Sequence, residues 1–170
     1  MNTPVEGAAP EHDFRYFIDV KPFDIDGIPV AALIQDAWNA WQEVADISVD
    51  CVDAPENGNV VINFTKIDGN GKVLADATVG EGRGVFFRMV MRIDSDENWI
   101  ATKFKGVITH EIGHMLGLHH SEVPRNLMNA FYQSDINEPK GDDISRVRQI
   151  WGASHGTIPP GEPIPLPPGI

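Results

Sequence analysis

Apolar residues recur along this chain at two different periods, and the switches between them predict its elements. Phe14 to Ile18 reads as a first strand. Val30, Leu33, Ile34, Ala37, Trp38, Trp41 and Ala45 then form one stripe at helical spacing, with Pro29 near its start, where a fixed φ suits helix entry. Ile47 to Val52 and Val60 to Phe64 read as short strands separated by the turn-rich run from Asp53 to Gly58. A strand from Val73 to Val79 follows, then a loop broken by Gly80, Gly82 and Gly84, then a strand from Val85 to Ile93. A helix is predicted from Ala101 to Leu116, with Phe104, Val107, Ile108, Ile112 and Met115 on its buried face. Asp142 and Asp143 open a last helix that carries Ile144, Val147, Ile150 and Trp151 on one side and stops at Gly152.

Composition narrows the class. With 170 residues, 42% of them hydrophobic, the chain can bury one substantial core. It holds no run of about 18 apolar residues, so no membrane span is expected. A net charge of -12 argues against nucleic acid as a partner, which needs a basic surface. The single cysteine, Cys51, alternates with Ile47 and Val49 and reads as a buried core thiol. Residues 1–12 form a polar tail without an apolar signal-like run, and residues 153–170 contain six prolines and read as an extended linker or tail. The folded domain is therefore expected to span residues 13–152. A further domain after the tail and a tail that simply ends remain equally open.

The chemistry lies in residues 110–120, His110-Glu111-Ile112-Gly113-His114-Met115-Leu116-Gly117-Leu118-His119-His120. Residues four apart on a helix share a face, so His110 and His114 can present imidazoles to one ion with Glu111 beside the open coordination position. Gly117 supplies the left-handed residue that ends a helix and lets the chain swing His120 back as a third ligand. Three neutral nitrogens leave a fourth zinc position for water. Five such fixed positions would coincide by chance with a probability on the order of 10^-4, which favours a metal site over a merely histidine-rich helix. A zinc-bearing module that binds peptide without turnover is the rival class. Glu111 speaks against it, because a purely structural zinc needs no carboxylate beside its first ligand.

Ser121 follows the third histidine, and Leu127-Met128 comes soon after, ahead of Asn129-Ala130-Phe131-Tyr132. With the histidine string, these residues resemble the matrixins, the catalytic domains of matrix metalloproteinases within the metzincin clan. Ser121 and the short step from His120 to Met128 set the chain apart from other metzincins. The resemblance implies an α+β fold: a twisted, mostly parallel five-stranded sheet with three helices and a zinc cleft between upper and lower subdomains. It makes Met128 the packed residue beneath the zinc. Asp142 and Asp143 read locally as an N-cap and a first-turn anion. The resemblance adds a tie from this pair to the methionine turn and to the ordered N-terminus.

It also implies calcium. Asp68-Gly69-Asn70-Gly71-Lys72-Val73 is similar to the family's glycine-rich calcium loop, with Asp68, Gly69, Gly71 and Val73 as ligands, and Asp94 and Glu97 belong to its acidic partner segment. A polar turn beside a solvated acidic loop is the plainer alternative. The family's second, structural zinc is not expected, since Asp76 and Arg92 stand where its histidines would be and His12 and His155 lie near the ends. Asp76 is expected to help hold a cation or to pair with Arg92. No Pro-Arg-Cys-Gly-like latency segment occurs.

The resulting expectation is a secreted, monomeric zinc endopeptidase acting on proteins or peptides. Zinc on His110, His114 and His120 would activate a water whose proton Glu111 accepts and passes to the leaving amine. Substrate would lie extended along the edge strand near Val73 to Val79. Gly106 at the base and Ala130, Phe131 and Tyr132 along the wall would form a deep pocket favouring a large apolar residue after the scissile bond.

Overall fold

The structure is a computed structural model that describes residues 13–80 and 88–154. Strand β1 (Asp13–Asp19) lies inside the sheet, and its alternation buries Phe14 and Tyr16. A two-residue hairpin, β2 (Asp24–Ile25) and β3 (Ile28–Pro29), then turns through Asp26 and Gly27 at φ 54° and 79°. Two consecutive positive φ values are what an Asp-Gly pair supplies in a tight hairpin. The sequence expectations omitted this hairpin, although that dipeptide marks it.

Helix α1 (Val30–Gln42) buries the expected stripe from Val30 to Trp41, with Ala37, Trp38 and Trp41 at 0% exposure, while Ala45, also buried, lies just past the helix end. Strands β4 (Ser48–Cys51), β5 (Val60–Thr65), β6 (Ala75–Ala77) and β7 (Met89–Asp94) complete a five-stranded sheet in the order β4-β1-β5-β7-β6. All neighbours are parallel except β6, which runs antiparallel along β7 at the edge and opposes Asp76 to Arg92. Helices α2 (Ala101–Met115) and α3 (Gly141–Trp151) follow. The core joins sheet and helices around aromatic rings. Phe14 lies 5.6 Å from Trp38 and 5.4 Å from Trp151, so first strand, first helix and last helix meet at one residue. Among the described residues, no helix is long and apolar enough to cross a membrane.

Three expectations change. Cys51 is exposed, because β4 is an edge strand on which only Val49 packs against the core. The strand expected from Val73 shortens to β6, with Val73 itself 45% exposed. Helix α3 has Lys140 as its N-cap, which places Asp142 and Asp143 within the first turn. The loop glycines Gly82 and Gly84, the strand start at Val85, and the flanking His12 and His155 lie outside the described residues.

Candidate metal centre and active site

Helix α2 is aimed by contacts at both ends. At its start Asp26, from the hairpin turn, accepts the Ala101 N–H at 2.7 Å, one of the donors a helix leaves unpaired. At its end Gly117, at φ 104°, closes a Schellman motif: Gly117 N–H bonds the His114 carbonyl and Leu118 N–H the Gly113 carbonyl, both at 2.9 Å. The reversal returns the chain to the helix. The His120 ring centre comes to lie 5.4 Å from that of His110 and 4.9 Å from that of His114. One nitrogen from each of the three rings lies within 4.8 Å of the others.

Two of these rings are held from behind. His110 Nδ1 is 2.7 Å from the Leu127 carbonyl, and His114 Nδ1 is 2.7 Å from the Leu118 carbonyl. A carbonyl can only accept, so Nδ1 carries the proton in each ring and Nε2 presents its lone pair to the cluster. Burial lowers the pKa of His110 to about 4 and also lowers that of His114, keeping both imidazoles neutral near pH 7. Neutral imidazoles are the form a metal needs. Three such nitrogens in one cluster suit zinc.

Glu111 is buried at 7% exposure and lines the same cavity as His110 and His120. Burial first, then the negative charge of Asp76, raises its pKa to about 8 in the metal-free protein. Between the ordinary 4.5 and about 8 the folded chain therefore keeps a proton that the unfolded chain has lost. Stability falls with rising pH across that window. Zinc-free wild type is expected to lose up to a few kcal/mol relative to Glu111→Gln between pH 5 and 8. Urea unfolding of the two proteins in chelator checks this, and a pH-independent difference would contradict it.

Gly113 of α2 packs directly against Met128. A Cβ on Gly113 would stand 2.4 Å from Met128 Sδ and 3.0 Å from the Trp41 ring, so only glycine lets the methionine reach the helix. Met128 is fully buried. Asp143, also fully buried, accepts the N–H groups of Leu127 at 2.7 Å, Met128 at 3.0 Å and Lys140 at 2.9 Å. It thus ties the methionine turn to α3 while serving the helix's own first turn. Asp142 accepts the Ser121 hydroxyl at 2.7 Å, which gives the serine after the third histidine a structural partner.

The matrixin family model matches residues 9–152. The chain belongs to the matrixin family. It is 32% identical over 168 residues to matrix metalloproteinase-C of Caenorhabditis elegans, covering 83% of this chain and 28% of that protein. It is 30% identical over 176 residues to stromelysin-3 of Xenopus laevis, covering 91% of this chain and 34% of the relative. Karilysin of Tannerella forsythia is 29% identical over 131 residues, covering 70% and 28%. The chain thus spans about a third or less of the length of these relatives.

Other features of this matrixin surround the cluster. A cavity of about 420 Å³ runs beside the histidines, between the segment 72–75 on one side and residues 127–136 on the other. Gly106, Ala130, Phe131 and Tyr132 all line it, Phe131 at its mouth with 80% exposure, and Gln133 and Ile136 join them without having been singled out in the sequence. Two backbone ties were equally invisible. The Trp41 indole donates to the Thr109 carbonyl at 2.8 Å, and Gly80 N–H donates to the His114 carbonyl at 2.7 Å. A Cβ on Gly80 would lie 1.9 Å from the Met115 carbonyl oxygen, so that glycine permits the close approach.

The acidic segments are arranged differently from the histidines. Among the described residues, the three histidines are the one group of three or more His, Cys, Asp or Glu side chains whose ligand atoms lie within 4.8 Å of each other. Asp68 accepts the Val73 N–H at 3.1 Å, Glu97 accepts the Gly71 N–H at 2.8 Å and pairs with Lys103, and Asp94 Oδ1 accepts the Asp96 N–H at 2.9 Å. Backbone N–H groups, led by that of Asp96 and followed by those of Ile67, Asp68 and Gly69, lower the Asp94 pKa. Its second oxygen is buried with no hydrogen-bond partner. Asp76 pairs with Arg92 through both guanidinium arms, the Nε contact at 2.9 Å.

Proposed function

We propose that residues 13–152 form a zinc endopeptidase domain that cleaves proteins or peptides, with His110, His114 and His120 holding the metal and Glu111 as the proton carrier. The observation that carries this reading is the convergence of three imidazole nitrogens, two of them from His110 and His120 lining a cavity that the buried Glu111 carboxylate also lines. Zinc, when bound, supplies the Lewis acidity that polarises a scissile carbonyl and lowers the pKa of a water toward neutrality. Glu111 accepts the proton of the attacking water and hands it to the leaving amine. Its place beside His110 and His120 in the cavity lining suits that role.

Edge strand β6 offers main-chain groups to an extended substrate, which binds by strand addition. The cavity of about 420 Å³ then receives the side chain after the scissile bond, and a large apolar residue is preferred there. Incubating zinc-loaded protein with a diverse peptide mixture and mapping new termini by mass spectrometry tests both statements. New termini beginning with leucine or larger apolar residues are expected. No cuts by zinc-loaded protein would favour a peptide-binding module instead. A Cβ on Gly106 would lie 3.3 Å from the Ile136 carbonyl, against the far wall of the cavity. Gly106→Leu is therefore expected to move the preference toward small residues, changing the ratio of kcat/KM values by about 10- to 100-fold.

One zinc per chain is proposed, because Asp76 and Arg92 satisfy each other. Calcium is proposed at the Asp68–Val73 loop, where the orphaned Asp94 oxygen and Glu97 offer hard donors. Metal analysis is expected to return a single tightly held zinc, and millimolar calcium to raise Tm. An extracellular setting and a monomer complete the proposal, the former supported by relatives named matrix metalloproteinases.

A further inference from the structure

We propose that Arg146, on α3, is a positioning residue for His120, gripping the chain on one side of the third ligand while Asp142 grips it on the other. The proposal rests on the zinc reading of the histidine cluster. His110 and His114 are placed by α2 and oriented by carbonyls behind their rings. His120 lies past the helix end, is exposed, and has no hydrogen bond to its ring among the described residues. Its place must come from its neighbours along the chain.

Those neighbours are held by one turn of α3. Before His120, the His119 carbonyl accepts a hydrogen bond from Arg146 Nη2 at 2.8 Å. After it, the Ser121 hydroxyl donates to Asp142 Oδ2 at 2.7 Å, and Ser121 N–H donates to the Met128 carbonyl at 2.8 Å. Arg146 and Asp142 are themselves an i,i+4 pair, with Arg146 Nη1 3.6 Å from the same Asp142 oxygen that takes the serine hydroxyl. Nη1 is buried and makes no hydrogen bond, so that arm of the guanidinium is shielded from water, although the side chain as a whole keeps 27% exposure. A planar fork can address the carbonyl with one arm and the carboxylate with the other, whereas an ammonium on a flexible stem holds neither direction. The result is a clamp that fixes the main chain at residues 119 and 121 and leaves the imidazole of His120 little freedom to swing away.

A merely structural staple would behave differently, and α3 supplies the comparison. Arg148, two residues on, donates from Nε to the Val44 carbonyl at 2.8 Å and takes no part in the His120 loop. Arg146→Met, Arg146→Lys and Arg148→Gln would be compared with wild type by zinc competition against a chelator, by kcat and KM on a peptide, and by thermal unfolding of the zinc-free proteins. Arg146→Met is expected to weaken zinc binding by about 10- to 100-fold and to lower kcat with KM within about twofold, as loss of a group supporting a metal ligand does. Arg148→Gln is expected to lower the zinc-free Tm while leaving zinc affinity unchanged. Wild-type zinc affinity in Arg146→Met, or an equal loss in Arg148→Gln, would overturn the proposal. Should Arg146→Met not fold, Arg146→Lys carries the test: at least about a threefold loss of affinity is expected, and wild-type affinity refutes it. A wild-type chain that binds no zinc would instead overturn the zinc reading and this clamp with it.

Discussion

Replacing Glu111 by glutamine is expected to lower kcat by about 10^2- to 10^4-fold, with zinc content and KM close to wild type. Glutamine keeps the size and polarity of the side chain, so the packing around it should survive. What it lacks is the capacity to take a proton. Glu111 is 7% exposed, in a cavity shared with His110 and His120, and burial together with Asp76 raises its proton affinity. In the mechanism proposed, Glu111 carries a proton from water to the leaving amine, and no other carboxylate among the described residues lines this cavity. Steady-state kinetics on a single peptide, with zinc quantified in the same sample, would decide the matter. A loss of less than about tenfold would remove Glu111 from the role of principal proton carrier.

Asp143→Ala should be the most damaging change away from the histidines, destabilising the fold by about 3–5 kcal/mol. The carboxylate is completely buried and accepts three main-chain N–H groups, from Leu127, Met128 and Lys140. Alanine would strand the two buried donors, Leu127 and Met128, at about 1–3 kcal/mol each before the loop relaxes, and would remove the partly buried bond to Lys140 as well. For a domain of this size the loss corresponds to a fall in Tm of roughly 10 °C or more. Zinc should loosen as well, because the Leu127 carbonyl that orients His110 belongs to the turn Asp143 holds. Thermal unfolding of the zinc-free protein would measure the first effect and chelator competition the second. A Tm within about 3 °C of wild type would mean that the turn is held by its packing alone.

Much of this was legible before the fold was seen, and the reason differs from element to element. The α1 stripe is a statement about one helix face, and every residue named in it is buried. His110, Glu111 and His114 form a local constellation, since a helix alone sets their spacing. Gly117 was legible because a left-handed turn selects for glycine, and it does close the helix. Cys51 was misread for the converse reason: alternation shows which residues share a face but not whether a strand lies at the sheet's edge. The pairing of Asp76 with Arg92 became certain only from the register of β6 on β7.

Residue types at fixed short spacings thus determined the helices, the histidine string with its glutamate and the family resemblance, because those depend on dihedral angles and periodicity within a few residues. Only the tertiary structure decided what surrounds them. The Leu127 carbonyl behind His110, the indole of Trp41 against Thr109, the close approach of Gly80, the buried carboxylate of Asp143 and the clamp of Arg146 all join segments distant in sequence. Such contacts leave no periodic signal, since a hydrogen bond to a backbone carbonyl can be made to any residue that packing brings within reach.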